Sequence, residues 1–117
     1  MIRKPAEMKT EVKQVRCGKG LVTFQHLFQQ AEIKARTRLC AKLTLPPGNS
    51  IGMHRHDGED ELFVIIKGSG IIDDGTTRKP VGPGDAILTG NGEAHALENT
   101  GSDTMELLAL IMLYGAP

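Results

Sequence analysis

GNSIGMHRHDGEDELFVIIKG, residues Gly48–Gly68, places two of the chain's four histidines at alternate positions, His54 and His56, with Glu59, Asp60 and Glu61 close behind. The stretch reads as two strands. IGMHRH is the first, Asp57-Gly58 is a strong hairpin signal, and ELFVIIKG is the return. On a strand, residues i and i+2 share a face with Cα atoms about 6.5–7 Å apart, so His54 and His56 project together and Arg55 points away. The return strand then carries Glu61, able to face the same interior.

The same punctuation continues on both sides. After Gly18-Lys19-Gly20, LVTFQHLF puts Val22, Phe24, His26 and Phe28 on one side, with Thr23 and Gln25 opposite. ARTRLCAKLTL sets Arg36, Arg38, Cys40 and Lys42 against Thr37, Leu39, Ala41, Leu43 and Leu45, and Pro46-Pro47-Gly48 ends it. Beyond Gly68, turns at Asp73-Asp74-Gly75 and Gly82-Pro83-Gly84-Asp85 separate IID, TTRKPV and DAILTG, with EAHALENT following. MELLALIMLY has the composition of a helix. Its short-strand neighbours and the Gly101-Ser102-Asp103 turn make it a strand, read here as buried on both faces. Eight to eleven short strands at this spacing give an all-β sandwich or barrel. Residues 1–16 read as an N-terminal arm with a possible short strand, and 17–117 as a single domain.

Composition narrows the function. At 117 residues the chain suits one domain with its own core. Its 14 Lys and Arg balance 14 Asp and Glu, so no basic footprint calls for nucleic acid or an anionic membrane surface. Three Phe, one Tyr and no Trp make a base-stacking platform a poor fit. MIRKPAEMKTEVKQ is too charged for a signal peptide, and no apolar run is long enough to span a bilayer. Cys17 and Cys40 form no CxxC motif and read as reduced thiols, so the expected location is the cytoplasm. A terminal strand as apolar as LLALIMLY is an aggregation hazard if its edge is exposed, which predicts a homodimer that covers it.

Two imidazoles and a carboxylate converging on one interior are good ligands for a divalent first-row metal, and His95 in EAHALEN offers a fourth. A set without thiolate argues against a closed structural zinc site. It suits one ion of Mn, Fe, Co, Ni, Cu or Zn, with coordination positions left for a small-molecule ligand or substrate.

The arrangement resembles the cupin family. Its first motif, G(X)5HXH(X)4E(X)6G, is met by Gly48, His54, His56, Glu61 and Gly68. Its second, G(X)5PXG(X)2H(X)3N, is met by Gly84, Gly92, His95 and Asn99, with Gly90 where proline is expected. The resemblance implies a small jelly-roll β-barrel (a double-stranded β-helix) holding a metal on His54, His56, Glu61 and His95. It implies a metal-dependent enzyme of dioxygenase, decarboxylase or isomerase type on a small organic acid or sugar-like substrate. The alternative is a non-catalytic binding or sensor protein with a structural or ligand-bridging metal. Asn99 is expected to cap structure.

The remaining polar residues read more plainly. Glu59 and Asp60 are expected as solvated turn residues, the alternative being support or replacement of a metal ligand. His26 sits on an apolar face and is expected to pack; its other reading is a pocket wall or general base. Arg36, Arg38 and Lys42 read as a solvated row, or else as a cationic lining for an anionic substrate. Met53, Phe63 and Ile65 are expected to fill the barrel.

Overall fold

The structure, a computed structural model, describes residues 1–115. Ten strands form two antiparallel sheets. They are β1 (Lys9–Lys13), β2 (Val22–His26), β3 (Thr37–Leu45), β4 (Ser50–Arg55), β5 (Glu59–Lys67), β6 (Gly70–Asp73), β7 (Arg78–Val81), β8 (Ala86–Gly90), β9 (Ala94–Glu98) and β10 (Met105–Leu113). The larger sheet has the order β1-β2-β3-β10-β5-β8 and the smaller β4-β9-β6-β7. Short 3-10 helices at Pro5–Glu7 and Gln30–Glu32 are the only helical turns among the described residues.

From β3 onward the chain alternates between sheets, except from β6 to β7. This corrects the hairpin expected at Asp57-Gly58: β4 pairs with β9 in the smaller sheet, whereas β5 pairs with β10 and β8 in the larger. Gly58 does supply a left-handed turn, at φ 71°. A turn residue reports only that the chain reverses, and here it reverses across the interior. Gly101-Ser102-Asp103 crosses in the same way between β9 and β10. Asp73-Asp74-Gly75 closes a true hairpin, β6 with β7, and the Asp74 carboxylate accepts from the Thr76 and Thr77 backbone N–H groups and hydroxyls. Crossing at almost every turn produces the jelly-roll arrangement, with the two sheets facing each other.

Alternation then decides what the interior contains. Phe24, Leu43, Leu45, Phe63, Ile65, Leu97, Met105 and Leu107 are all buried in one cluster between the sheets. Each such side chain contributes about 1.5–3 kcal/mol on leaving water. Asn99 is buried at the barrel end, where its amide donates to Leu45 O and Asp103 O and its oxygen accepts from Gly101 N–H. It ties three segments together, in line with a capping role.

At the C-terminal end the expectation changes. β10 is a strand, but only Met105, Leu107, Ala109 and Ile111 are buried, while Leu108 stands 39% exposed on the outer face. It is also central in its sheet, hydrogen-bonded to β3 on one side and β5 on the other, so it presents no free edge. At the other end, the short strand of the arm is Lys9–Lys13, which pairs with β2 as one of the sheet's two edge strands. No described helix is long and apolar enough to cross a membrane. Cys17 and Cys40 are both free thiols.

Candidate metal centre

Ile51 and His54 both point inward although they are three residues apart. Strict alternation forbids this, and a β-bulge resolves it. Along β4 and β9, Ile51 pairs with Leu97 and His54 with His95, so Gly52 and Met53 together stand opposite a single residue. The extra residue reverses the parity of the strand. Ile51 stays in the core, His54 and His56 face the interior behind it, and Met53 is turned out at 46% exposure. Met53 therefore neither fills the barrel nor lines the site. Glu61 approaches from the opposite sheet, on the same inward face of β5 as Phe63 and Ile65.

The four sequence-predicted residues meet. Their ligand atoms all lie within 4.8 Å of one another, and they could hold a metal ion. Nε2 of His56 is 3.0 Å from that of His54 and 3.1 Å from that of His95, and the remaining pair is 3.2 Å apart. Oε1 of Glu61 lies 2.9 Å from His56 Nε2 and 3.0 Å from His95 Nε2.

The other ring nitrogens say what this cluster lacks. His54 Nδ1 is 2.7 Å from the Gly52 carbonyl, and His56 Nδ1 meets the Glu59 carboxylate. Both partners accept only, so both Nδ1 atoms carry the proton. His95 Nδ1 is 2.9 Å from the Thr89 hydroxyl, which is able to accept the third. Three Nε2 lone pairs and a carboxylate oxygen thus face each other with no donor between them. Burial pushes the His54 imidazole below its ordinary value, and its neighbours His95 and His56 add to this, favouring the neutral ring a metal needs. A divalent cation would satisfy all four acceptors at once, and the separations of 2.9–3.2 Å among them suit ligand atoms held about 2.1 Å from one ion.

The surroundings correct two expectations. Glu59 is buried, not solvated: it takes a fork from Arg38, at 3.0 Å from Nε and 2.8 Å from Nη2, and holds His56 on its other side. The Arg38 guanidinium, with His56 adding, draws the Glu59 carboxyl down to about 2. Its parity with Glu61, Phe63 and Ile65 was the signal for this placement. Arg38 remains exposed but departs from the outward alternation because β3 also bulges: Ile111 pairs with Leu39 and Met112 with Thr37, so Arg38 is the extra residue and its guanidinium reaches Glu59. Arg36 stays exposed, and Lys42 stays on the outer face, paired with Glu106 at 3.0 Å. Asp60 faces outward and accepts from the Tyr114 hydroxyl. Phe63 is buried as expected and stacks on His95 with centroids 4.8 Å apart.

Beside the cluster opens a cavity of about 300 Å³. His54, His56 and Glu61 form part of its wall, and Lys13, Arg16, Arg38 and His26 bring positive or protonatable groups to it. His26 is thus a wall residue, its Nε2 held 2.6 Å from Glu11 on β1.

Residues 41–111 match the Cupin domain family, across both strands that carry the histidines and the one that carries Glu61. The chain is a cupin. The oxalate-binding protein of Thermotoga maritima is 39% identical over 114 residues, which covers 97% of this cupin and 94% of that protein. A crystal structure of a predicted oxalate decarboxylase from the same organism superposes with a TM-score of 0.91 at 38% identity, covering 97% of this chain and 99% of the other. The polyketide cyclase RemF of Streptomyces resistomycificus shares the fold, with a TM-score of 0.77 at 19% identity over all of this chain and 88% of that one.

Proposed function

We propose that this cupin holds one divalent transition metal ion on His54, His56, Glu61 and His95 and uses it to bind a small dicarboxylate anion of the oxalate class. The observation that carries the reading is the cationic cavity into which the cluster opens, with Lys13, Arg16 and Arg38 in its wall. A metal held there supplies Lewis acidity and free positions for two carboxylate oxygens. Arg38 spends two N–H groups on Glu59, and a guanidinium has five, so donors remain for the anion's far end. The kinship with an oxalate-binding protein points to the same ligand class.

Among the described residues Glu61 is the one carboxylate in the cavity wall, and Glu59 is kept ionised by Arg38. No carboxylic acid is placed to give a proton to a cleaved anion, so binding is favoured over turnover. His26 supports the second reading, a lyase on the same anion, because it lines the cavity in the grip of Glu11. Titration calorimetry of oxalate into metal-loaded protein tests the first: saturable binding, abolished by chelation, with oxalate recovered unchanged. Equal heats with and without metal would refute it, and release of carbon dioxide and formate would move the assignment to His26-assisted cleavage.

The free thiols suit a reducing cytoplasm. A homodimer is supported by the outer face of the larger sheet, where Ile66, Leu88 and Leu108 are exposed. Four strands of this length present about 600 Å² per copy, close to the about 800 Å² per partner of a standard interface.

A further inference from the structure

We infer that Gly52 is a positioning residue of the centre: the left-handed turn Val15–Gly18 lies on it, holds the β4 bulge, and so fixes both the direction and the tautomer of His54. The consequence for metal rests on the reading above; the cause rests on geometry alone.

The turn is unusual in its residues. Arg16 and Cys17 are consecutive non-glycine residues at φ 53° and 58°, and Gly18 N–H closes the turn on Val15 O at 2.9 Å. Such a turn normally takes Asn or Gly at both central positions, because a Cβ crowds the left-handed backbone. Arg16 and Cys17 are kept there by what the turn touches. Gly52 N–H, which the bulge withdraws from β9, donates to Val15 O at 3.1 Å. Ser50 N–H donates to Lys19 O at 2.8 Å, and the Ser50 hydroxyl accepts from Lys19 N–H at 2.8 Å. The turn acts as a substitute strand where β4 parts from β9.

Contact between the two backbones leaves no room for a side chain. A Cβ on Gly52 would lie 1.8 Å from Arg16 O, and one on Gly18 would lie 2.2 Å from Ser50 O. Glycine is required at both positions by close approach, independently of φ. Gly52 then does two things at once: its N–H goes to the turn, and its carbonyl takes the proton-bearing Nδ1 of His54 at 2.7 Å. If the turn is pushed off, that carbonyl swings, and His54 loses the partner that keeps its Nε2 aimed at His56, His95 and Glu61.

The test uses Gly52→Ala and Gly18→Ala, which press on the contact from opposite sides, with Cys17→Gly as a control that suits the left-handed turn. Two-bond proton–nitrogen NMR of metal-free protein labelled at histidine reads which nitrogen is protonated in each ring. Wild type and Cys17→Gly are expected to show His54 protonated at Nδ1. In both alanine variants the His54 signal alone moves toward the other tautomer, and nickel affinity falls about ten-fold or more. Wild-type tautomer and affinity in both alanine variants would overturn the inference. If wild type itself binds no nickel, the metal reading fails, and the His54 tautomer alone decides the role of Gly52. Should Gly52→Ala not fold, Gly18→Ala carries the test.

Discussion

Glu59 illustrates how much a single side chain next to a ligand can matter. It touches no position where an anion would bind, yet it orients His56 through Nδ1 and is itself oriented by the Arg38 fork. Partners of this kind set ligand basicity and ring direction, and losing one typically lowers metal affinity 10–100-fold. Glu59→Gln keeps the shape and the acceptor toward His56 but removes the charge and one arm of the fork. Its nickel or manganese affinity, measured by chelator competition, is expected to fall by about ten-fold, with the circular dichroism spectrum unchanged. Affinity equal to wild type would mean that His56 is held by its strand alone. The placement of Glu59 was legible from period-2 alternation with Glu61, Phe63 and Ile65. The nearby Asp57-Gly58 turn obscured it, because acidic residues beside a turn are ordinarily solvated.

Within single elements, bulges account for what alternation misreads. The four candidate ligands and the position of most strands along the chain were readable from spacing and turn residues. An extra residue in β3 or β4 leaves no mark in composition, and each one re-aims a side chain: Arg38 toward Glu59, His54 toward the cluster. The departure at Gly90 belongs here too. Its N–H donates to Glu93 at 3.1 Å, and a Cβ would fall 1.8 Å from Asp60 Oδ1, whose carboxylate is engaged by Tyr114. Gly90→Pro removes the donor and drives the ring into Asp60, so it is expected to destabilise by about 1–3 kcal/mol in urea unfolding. A neutral result would show that Asp60 swings aside freely. The N-terminal arm makes a pH prediction. Arg3 grips Glu32 at 2.7 and 2.6 Å and lies 5.1 Å above the Phe28 ring, and the Glu32 carboxyl is drawn to about 2, chiefly by Arg3. A depressed carboxylate stabilises above its unfolded value and loses that contribution as pH falls through its folded value. The Arg3–Glu32 pair is therefore intact at neutral pH and lost between about pH 4.5 and 2, freeing the segment ahead of β1 while β1 stays paired with β2. Methyl NMR of Met1 and Met8 against pH reads this, and Glu32→Gln should show the released signals already at pH 7.

For the whole molecule, the question is which apolar surface remains once the sheets have packed. Sequence alone identified LLALIMLY as the surface to be covered, but it assigned the hazard to an edge. Which strands end up paired depends on crossings between sheets, and a turn motif does not encode them. With both edges of β10 paired, what stays open is the outer face, where Leu108 sits among Leu62, Val64 and Leu110 around a shallow apolar dish. The face carries little charge repulsion, since Lys42 and Glu106 already neutralise each other. Two copies meeting there would bury the dish against its twin, an isologous contact that closes on itself. Leu108→Asp puts a carboxylate at the centre of that contact. Because Leu108 is 39% exposed, the change costs a free monomer little. Sedimentation at micromolar concentration is expected to give twice the 12.6 kDa chain mass for wild type and the single mass for Leu108→Asp, with metal binding retained in both. A wild-type monomer would show that this face stays open to water. A Leu108→Asp dimer would place the contact elsewhere, with the outer strand β1 or β8 the next surface to probe.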